Sequence, residues 1–421
     1  MIRALLIAAL LGALPAAARA EGDASLELNG DVKSFTILVL PYEHAILYPS
    51  ADPMGMGALD LRLKLHGAFG EHFTFKFHPQ LTASSSAMGA GGGGLLGRSG
   101  GGSPEAIDLS HTWPSDRPDA ATTLTFRVDR LLLKFEAGSV AITLGRQPIS
   151  FGTAFFFSPM DLVSPFSATT IDQEYRTGID AARLDAYVGE STTLTLVAAY
   201  AGADPDATLS DWRLADAVFA ARAGTTFGVW DVGAFGALNH EDVVLGLDTQ
   251  GSIGPVGVRA EATVTVPPDG GSVFYRAVLG ANGSWEKGSV SAELYWQSNG
   301  ELESEDYLWP SVALADRLER GDQWVLGRYY AAATLGYELH PLLQGGLFTI
   351  VNLADPSALV GPSLSWSIAD EASLDFGLYL GVGKRPDDEL TLSPTGLPTF
   401  DLGSEFGLMP ATAFVVLKAY L

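Results

Sequence analysis

The sequence predicts an all-β fold, a transmembrane antiparallel β-barrel of about 18 strands, within roughly 16–20. Three observations carry that prediction. Apolar and polar residues alternate with period two from end to end, connections alternate between short and long, and the chain has 0 cysteines with which to staple an exported fold.

The chain opens as a secretory signal: Arg3, an apolar run from Ala4 to Leu14, and Ala18-Arg19-Ala20 as a small-x-small cleavage site before Glu21. Residues 1–20 are expected to be removed, leaving 21–421 as a single barrel domain. Loss of Arg3 and Arg19 with no acid takes the formal charge from -24 to -26. Such acidity speaks against nucleic acid as a partner, because phosphates need basic patches. Beyond the signal no apolar run reaches the about 18 residues of a transmembrane helix, which leaves strands as the means of crossing. Ser84 to Ser103, with Gly91 to Gly94 and Gly100 to Gly102, reads as a long flexible loop, since similar β-type segments lie on both sides.

Several segments are clean enough to name faces. Leu59, Leu61, Leu63 and Leu65 alternate with Asp60, Arg62, Lys64 and His66, and Phe73, Phe75 and Phe77 with His72, Thr74, Lys76 and His78. Val256, Val258, Ala260, Ala262, Val264 and Val266 alternate with Arg259, Glu261, Thr263 and Thr265. Val290, Ala292, Leu294 and Trp296 do so with Ser291, Glu293, Tyr295 and Gln297. Leu374 to Val382 keeps the same period.

A soluble sandwich also alternates, so the connections decide. Short ones are expected near Gly67 to Glu71, Ala137 to Ser139, Gly189 to Ser191, Gly224 to Thr226, Gly251 to Gly254, Glu286 to Gly288, His340, and Ala369 to Glu371. Between them fall Thr36 to Met56, Thr82 to Ala121, Phe151 to Thr177, Gly202 to Trp212, Asn239 to Asp242, Pro267 to Ser272, Asn299 to Gln323, Ala354 to Pro356 and Lys384 to Pro410. Tight turns at one end and mostly longer loops at the other are the outer-membrane pattern, with the short turns periplasmic and the long loops extracellular. The last strand, Ala411 to Leu421, closes on Tyr420-Leu421 where outer-membrane proteins usually end in Phe or Trp. Trp212, Trp230, Trp285, Trp309 and Trp366 fall near expected strand ends, as interfacial girdles do.

The chain is organised around Val140 to Gly178. A strand of Val140, Ile142 and Leu144 runs into Gly145-Arg146-Gln147 and then into a loop holding Phe155, Phe156, Phe157, Pro159, Asp161 and Pro165. A solvated loop would expose that apolar surface, so the 151–177 loop is expected to fold into the lumen. Gly145-Arg146-Gln147, Gly152, Pro159-x-Asp161 and Arg176-x-Gly178 together resemble the alginate-export-type outer-membrane porins. The resemblance implies a barrel that passes anionic or sugar-derived solutes.

Basic residues sit mostly within strands, and acids dominate the loops. Arg62, Lys64, Lys76, Arg127, Arg146 and Arg183 come from consecutive strands and form one arc of the lumen if each faces in. Asp161, Asp172 and Glu174 lie on the loop after Gln147, so these nine residues are the expected pore lining and constriction. Acids on an inward loop opposite a basic wall resemble the eyelet of general porins, with Arg146 and Asp161 as the anchoring pair; the alternative is a loop that lies over the mouth as a lid. Equally open is a plainer reading, in which strand arginines are neutralised by Asp60, Asp129, Asp185 and Glu261.

His66, His72 and His78 repeat at strand period, which spreads them along a face without accompanying Cys, so polar lumen residues are expected and no metal site. His240 beside Glu241 and Asp242 is the nearest approach to a catalytic group, yet no matching Ser motif accompanies it. No enzyme and no cofactor is expected. Ser311 to Glu319 could form a short helix within its loop.

The expected function is passive diffusion of small hydrophilic solutes through the outer membrane of a Gram-negative cell. The expected partners are lipid, lipopolysaccharide and the solutes, with a homo-oligomer or envelope complex left open. The alternative is a structural barrel, the sheath or outlet of a secretion or electron-transfer complex.

Overall fold

Period-two patterning becomes eighteen barrel strands. The structure is a computed structural model and describes residues 24–44, 47–48, 51–86, 106–107, 109–114, 122–163, 170–172, 174–200, 216–307, 317–318, 321–389, 391–392, 398–399 and 401–421. The expected signal segment, Gly91 to Gly102, Trp212, Trp309 and all of the Ser311 to Glu319 segment but Arg317 and Leu318 lie outside the described residues.

The strands are β1 (Ala24–Leu40), β2 (Met54–Phe69), β3 (Phe73–Ser86), β4 (Thr122–Ala137), β5 (Val140–Gln147) and β6 (Ile179–Val188). They continue as β7 (Thr192–Tyr200), β8 (Ala217–Phe227), β9 (Trp230–Asn239), β10 (Asp242–Ile253), β11 (Val256–Val266) and β12 (Phe274–Trp285). The last six are β13 (Gly288–Gln297), β14 (Tyr329–His340), β15 (Leu343–Asn352), β16 (Ser357–Ala369), β17 (Ala372–Val382) and β18 (Ala411–Tyr420). Each pairs antiparallel with the next, and β18 pairs with β1 from Asp31↔Tyr420 to Leu40↔Ala411, so no edge is left open.

Burial is inverted relative to a soluble protein. Leu245, Leu247, Leu279 and Leu294 are 56%, 66%, 54% and 58% exposed, while Asp248, Arg276 and Glu293, on the alternate positions of the same strands, are 4%, 5% and 2%. An apolar outer wall of this kind is stable against hydrocarbon and not against water. Among the described residues no helix is long and apolar enough to cross a membrane.

One end of the barrel carries turns of two or three residues, several built on a glycine at positive φ such as Gly70 (60°), Gly138 (57°) and Gly189 (66°). One lies further along the chain than expected: Gly224 to Thr226 is inside β8, with its turn at Gly228, while the expected Gly251 to Gly254 contains its turn residue, Gly254, with Gly251 still inside β10. Pattern alone cannot separate a glycine that turns from one that packs. A Cβ at Gly251 would meet the Trp230 ring at 2.5 Å, which accounts for that glycine within a strand. The opposite end carries the longer segments, apart from the turn at His240 and Glu241 (φ 49° and 72°).

Pro79 cannot donate to a ladder and sits where β3 shifts register against β4, between His78↔Arg130 and Pro79↔Val128. The shift leaves Asp129 as the extra residue, and Asp129 and Arg130, though consecutive, are both buried. A short strand, His111–Pro114, pairs with β4 above the point where β5 ends.

Candidate functional site: the loop between β5 and β6

Gly145, at φ 106°, makes the irregular end of β5 that glycine alone accommodates without strain. Gln147, 3% exposed, donates through Nε2 to Thr143 O (3.2 Å), Gly145 O (3.3 Å) and Ala181 O (3.1 Å). Arg146 binds Asp180 through Nε and Nη2 at 2.9 Å, Val128 O at 2.9 Å and Ile107 O at 2.7 Å. Register places it beside Leu131 and Asp180, within the wall. The expected pair of Arg146 with Asp161 therefore does not form. A rigid, five-donor guanidinium at a strand end is satisfied by carbonyls and the facing carboxylate of the next strand before a loop can reach it.

From that root the chain runs across to the far side of the barrel. Phe151, Met160, Leu162 and Val163 share one apolar cluster with Val197, Val218, Phe235 and Val244 of β7 to β10. At the tip two carboxylates hold backbone N–H groups. Glu293 of β13 accepts from Phe155 N (2.6 Å), Phe156 N (2.9 Å) and Phe157 N (3.2 Å). Glu261 of β11 accepts from Thr153 N, Ala154 N (2.8 Å), Thr153 Oγ1 (2.9 Å) and Ser158 Oγ (2.8 Å). Arg259 lies 3.7 Å from the Phe155 ring centroid and donates to Thr153 O. Phe157 stacks on Tyr295 and Trp324 at 4.6 and 5.1 Å between centroids.

The returning limb meets the basic arc. Lys33 of β1 binds Asp172 at 2.6 Å and Glu174 at 2.8 Å, and Lys418 of β18 binds Glu174 at 2.5 Å and Asp375 at 3.0 Å. Burial alone would raise the Glu174 carboxyl, but hydrogen bonds from Lys33 and Lys418 hold it down at about 2. The Tyr175 ring lies under three cations, Arg62 at 4.3 Å, Lys64 at 4.5 Å and Lys33 at 5.1 Å. Asp161 pairs with Arg176 of the same loop. Its carboxyl is pushed up to about 6 by burial, which outweighs the Arg176 charge.

The sequence-predicted bases are thus largely paired. Asp129 is a hub that binds Arg62 Nη1 at 2.6 Å and Arg130 Nη1 at 2.8 Å, accepts Gly178 N at 3.2 Å, and has Arg127 at 3.7 Å. Lys64 binds Asp31 at 2.6 Å and Arg183 binds Asp185 at 2.8 Å, while Lys76 stands beside His66 in the ladder. Asp172 and Glu174 do not face these bases across an open bore; they pair with Lys33 and Lys418, which lie outside the expected set. Sequence reasoning missed Lys33, Lys418, Glu261 and Glu293 as loop partners, and their place on inward strand faces was the one signal that could have found them; Tyr175, within the loop, carried no such signal. His66 and His78 share a 2.7 Å Nε2 contact, and His72 bonds Glu136 O at 2.8 Å. A cavity of about 230 Å³ lies on the inner wall beside Asp231, Gln250, Arg259 and Asn282.

No protein-family profile and no curated protein matches the sequence. Solved structures do match. Acinetobacter baumannii OccAB3 superposes with a TM-score of 0.55 at 10% identity, over 94% of this chain and 99% of that one. The chain has the Occ-porin fold. Pseudomonas aeruginosa OccK5 (OpdH) gives 0.56 at 9% identity over 95% and 98%. Pseudomonas aeruginosa OccK2 (OpdF), solved in complex with glucuronate, gives 0.55 at 10% over 94% and 98%.

Proposed function

We propose that the chain is an outer-membrane channel for passive diffusion of small hydrophilic solutes, anionic or sugar-derived, with 148–178 as its constriction. The observation that carries this reading is the loop tip fastened to Glu261 and Glu293 on strands remote from the loop's own root. A connection that merely joined β5 to β6 has no need of two carboxylates on β11 and β13. Passage requires only a wet path and charges that bias the solute, and neither a cofactor nor a catalytic group enters.

With most bases neutralised in pairs, the pull on an anion falls to Lys76, Arg259 and Arg276. None of these has a carboxylate within ion-pair distance among the described residues; Arg259 and Arg276 instead donate to Thr153 O and Asp322 O. The glucuronate held by one structural relative is a sugar acid, in keeping with this class. The finer likeness to alginate-export-type porins, carried by Gly145-Arg146-Gln147 and Arg176-x-Gly178, belongs to the same proposal.

A second reading, a structural barrel within a secretion or electron-transfer complex, is favoured by how far the loop fills the lumen: its apolar side chains cluster with residues from β7 round to β2. Single-channel conductance of the purified protein, with ion selectivity, separates the two. A silent barrel that co-purifies with partners rejects the channel.

A further inference from the structure

The cavity on the inner wall lies between the loop tip and the tight turns at Gly228 and Gly254. Register sets three of its polar side chains in one row: Asp231 of β9 pairs with Gln250 of β10, and Gln250 pairs with Arg259 of β11. Asn282 of β12 pairs with Gly257, one inward position nearer the turn. A Cβ at Gly257 would meet Asn282 Oδ1 at 2.7 Å, so the amide lies over that glycine. The space, about 230 Å³, falls below the about 300–1,000 Å³ of pockets that hold drug-sized ligands, and it suits one small ring. Arg259 joins it to the tip, donating to Thr153 O at 3.1 Å and lying 3.7 Å from the ring centroid of the exposed Phe155.

The open hydrogen-bonding positions of this wall are of both kinds. Asp231 accepts the Thr226 hydroxyl at 2.6 Å on Oδ1 and Gln250 Nε2 at 3.2 Å on Oδ2, which uses only part of what an ionised carboxylate can accept. Gln250 gives its Nε2 to Asp231 and Asn282 gives its Oδ1 to Arg259, and among the described residues the Gln250 carbonyl and the Asn282 Nδ2 have no partner. A solute seated here has to bring hydrogens for Asp231 and Gln250 and an acceptor for Asn282. A hydroxyl does both, and neighbouring hydroxyls on a ring match planar side chains that carry two polar atoms each. A carboxylate has no hydrogen to give, and Asp231 repels it. The exposed Phe155 ring adds a face of negative quadrupole for the polarised C–H groups of a sugar.

We propose that this cavity is a holding site for an uncharged pyranose, reached on the turn side of the 148–178 loop. Asp231 and Gln250 accept from the ring hydroxyls, Asn282 donates to them, and Arg259 ties the site to the tip that a passing solute has just cleared. The inference deepens the channel reading by naming one solute class; it rests on that reading for passage and not for binding. Few contacts on a wet wall hold a sugar weakly, which is what conduction asks of a site that must also let go.

The test is a ligand-observed NMR titration of the purified barrel in detergent with methyl β-glucopyranoside, and with glucuronate, which adds a carboxylate to the same ring. Wild type is expected to bind the glucoside saturably and more tightly than glucuronate. Asp231→Ala, Gln250→Ala and Asn282→Ala should each weaken the glucoside by about 3–10-fold. Asp231→Asn keeps an acceptor and loses the charge, so it should leave the glucoside nearly unchanged and tighten glucuronate. Gln250 is exposed, so Gln250→Ala decides if a variant at Asp231 or Asn282 fails to fold. Absence of saturable glucoside binding, binding untouched by these substitutions, or tighter binding of glucuronate by wild type overturns the site. A barrel that binds the glucoside through these residues yet conducts nothing in a bilayer would reject the channel and leave the site standing. One that conducts without binding the glucoside would reject the site and leave the channel.

Discussion

Asp161 pairs with Arg176, fifteen residues further along the same loop, so the loop between β5 and β6 is closed on itself by an ion pair and not tied to Arg146 at its root. Burial holds the Asp161 carboxyl at about 6, above its ordinary value. The loop seat is then most stable below the ordinary Asp range of about 3.9 and weakens as pH rises through about 6. Open-channel current noise should therefore be lower at pH 5 than at pH 7.5 in wild type. Asp161→Asn should remove that difference, and a difference that persists in the variant would show the titrating group to be another.

Glu293→Ala takes the acceptor from three N–H groups at the loop tip, two of them on half-buried or buried residues. Each orphaned buried donor costs about 1–3 kcal/mol. Conductance should rise while the folded barrel keeps its heat-resistant gel mobility; Glu293→Gln should restore part of the wild-type bore. Unchanged conductance in a folded Glu293→Ala barrel would remove the constriction.

Leu245 faces outward and Asp248 inward on the same strand. Leu245→Arg should cost about 2–4 kcal/mol of folding free energy in lipid if it lies near the midplane. Leu245→Cys should resist a charged thiol reagent. Labelling equal to that of a cysteine in the turn at Gly189 would contradict a lipid-facing wall.

Gly145→Ala forces a Cβ into φ 106° and against Leu131 O. Strain of this sort is on the order of 1–3 kcal/mol. Chemical denaturation should show the loss, whereas Gly283→Ala, which meets nothing within 4 Å, should be nearly neutral.

The barrel was legible because its determinants are local: Leu245 and Leu247 against Asp248, or Leu279 against Arg276, declare two faces within one strand. The inward position of Arg62 and Lys64 followed from the same period. What they touch did not, since Asp129 reaches Arg62 through a register shift at Pro79 that no period reveals. The tip contacts were hidden for another reason. Glu261 and Glu293 bind backbone N–H groups, and a backbone donor carries no mark in the sequence.

That choice of donor has a bearing on how such a barrel diversifies. Because Glu293 grips amides and not side chains, any residue but proline at positions 155 and 156 preserves the grip. Phe155 is 60% exposed, and its ring is in contact with the Arg259 guanidinium, so its replacement leaves the clasp in place and changes the contact with that base. The clasp and the surface a solute meets are therefore inherited separately, and selection can rework the second at position 155 while the first stays fixed.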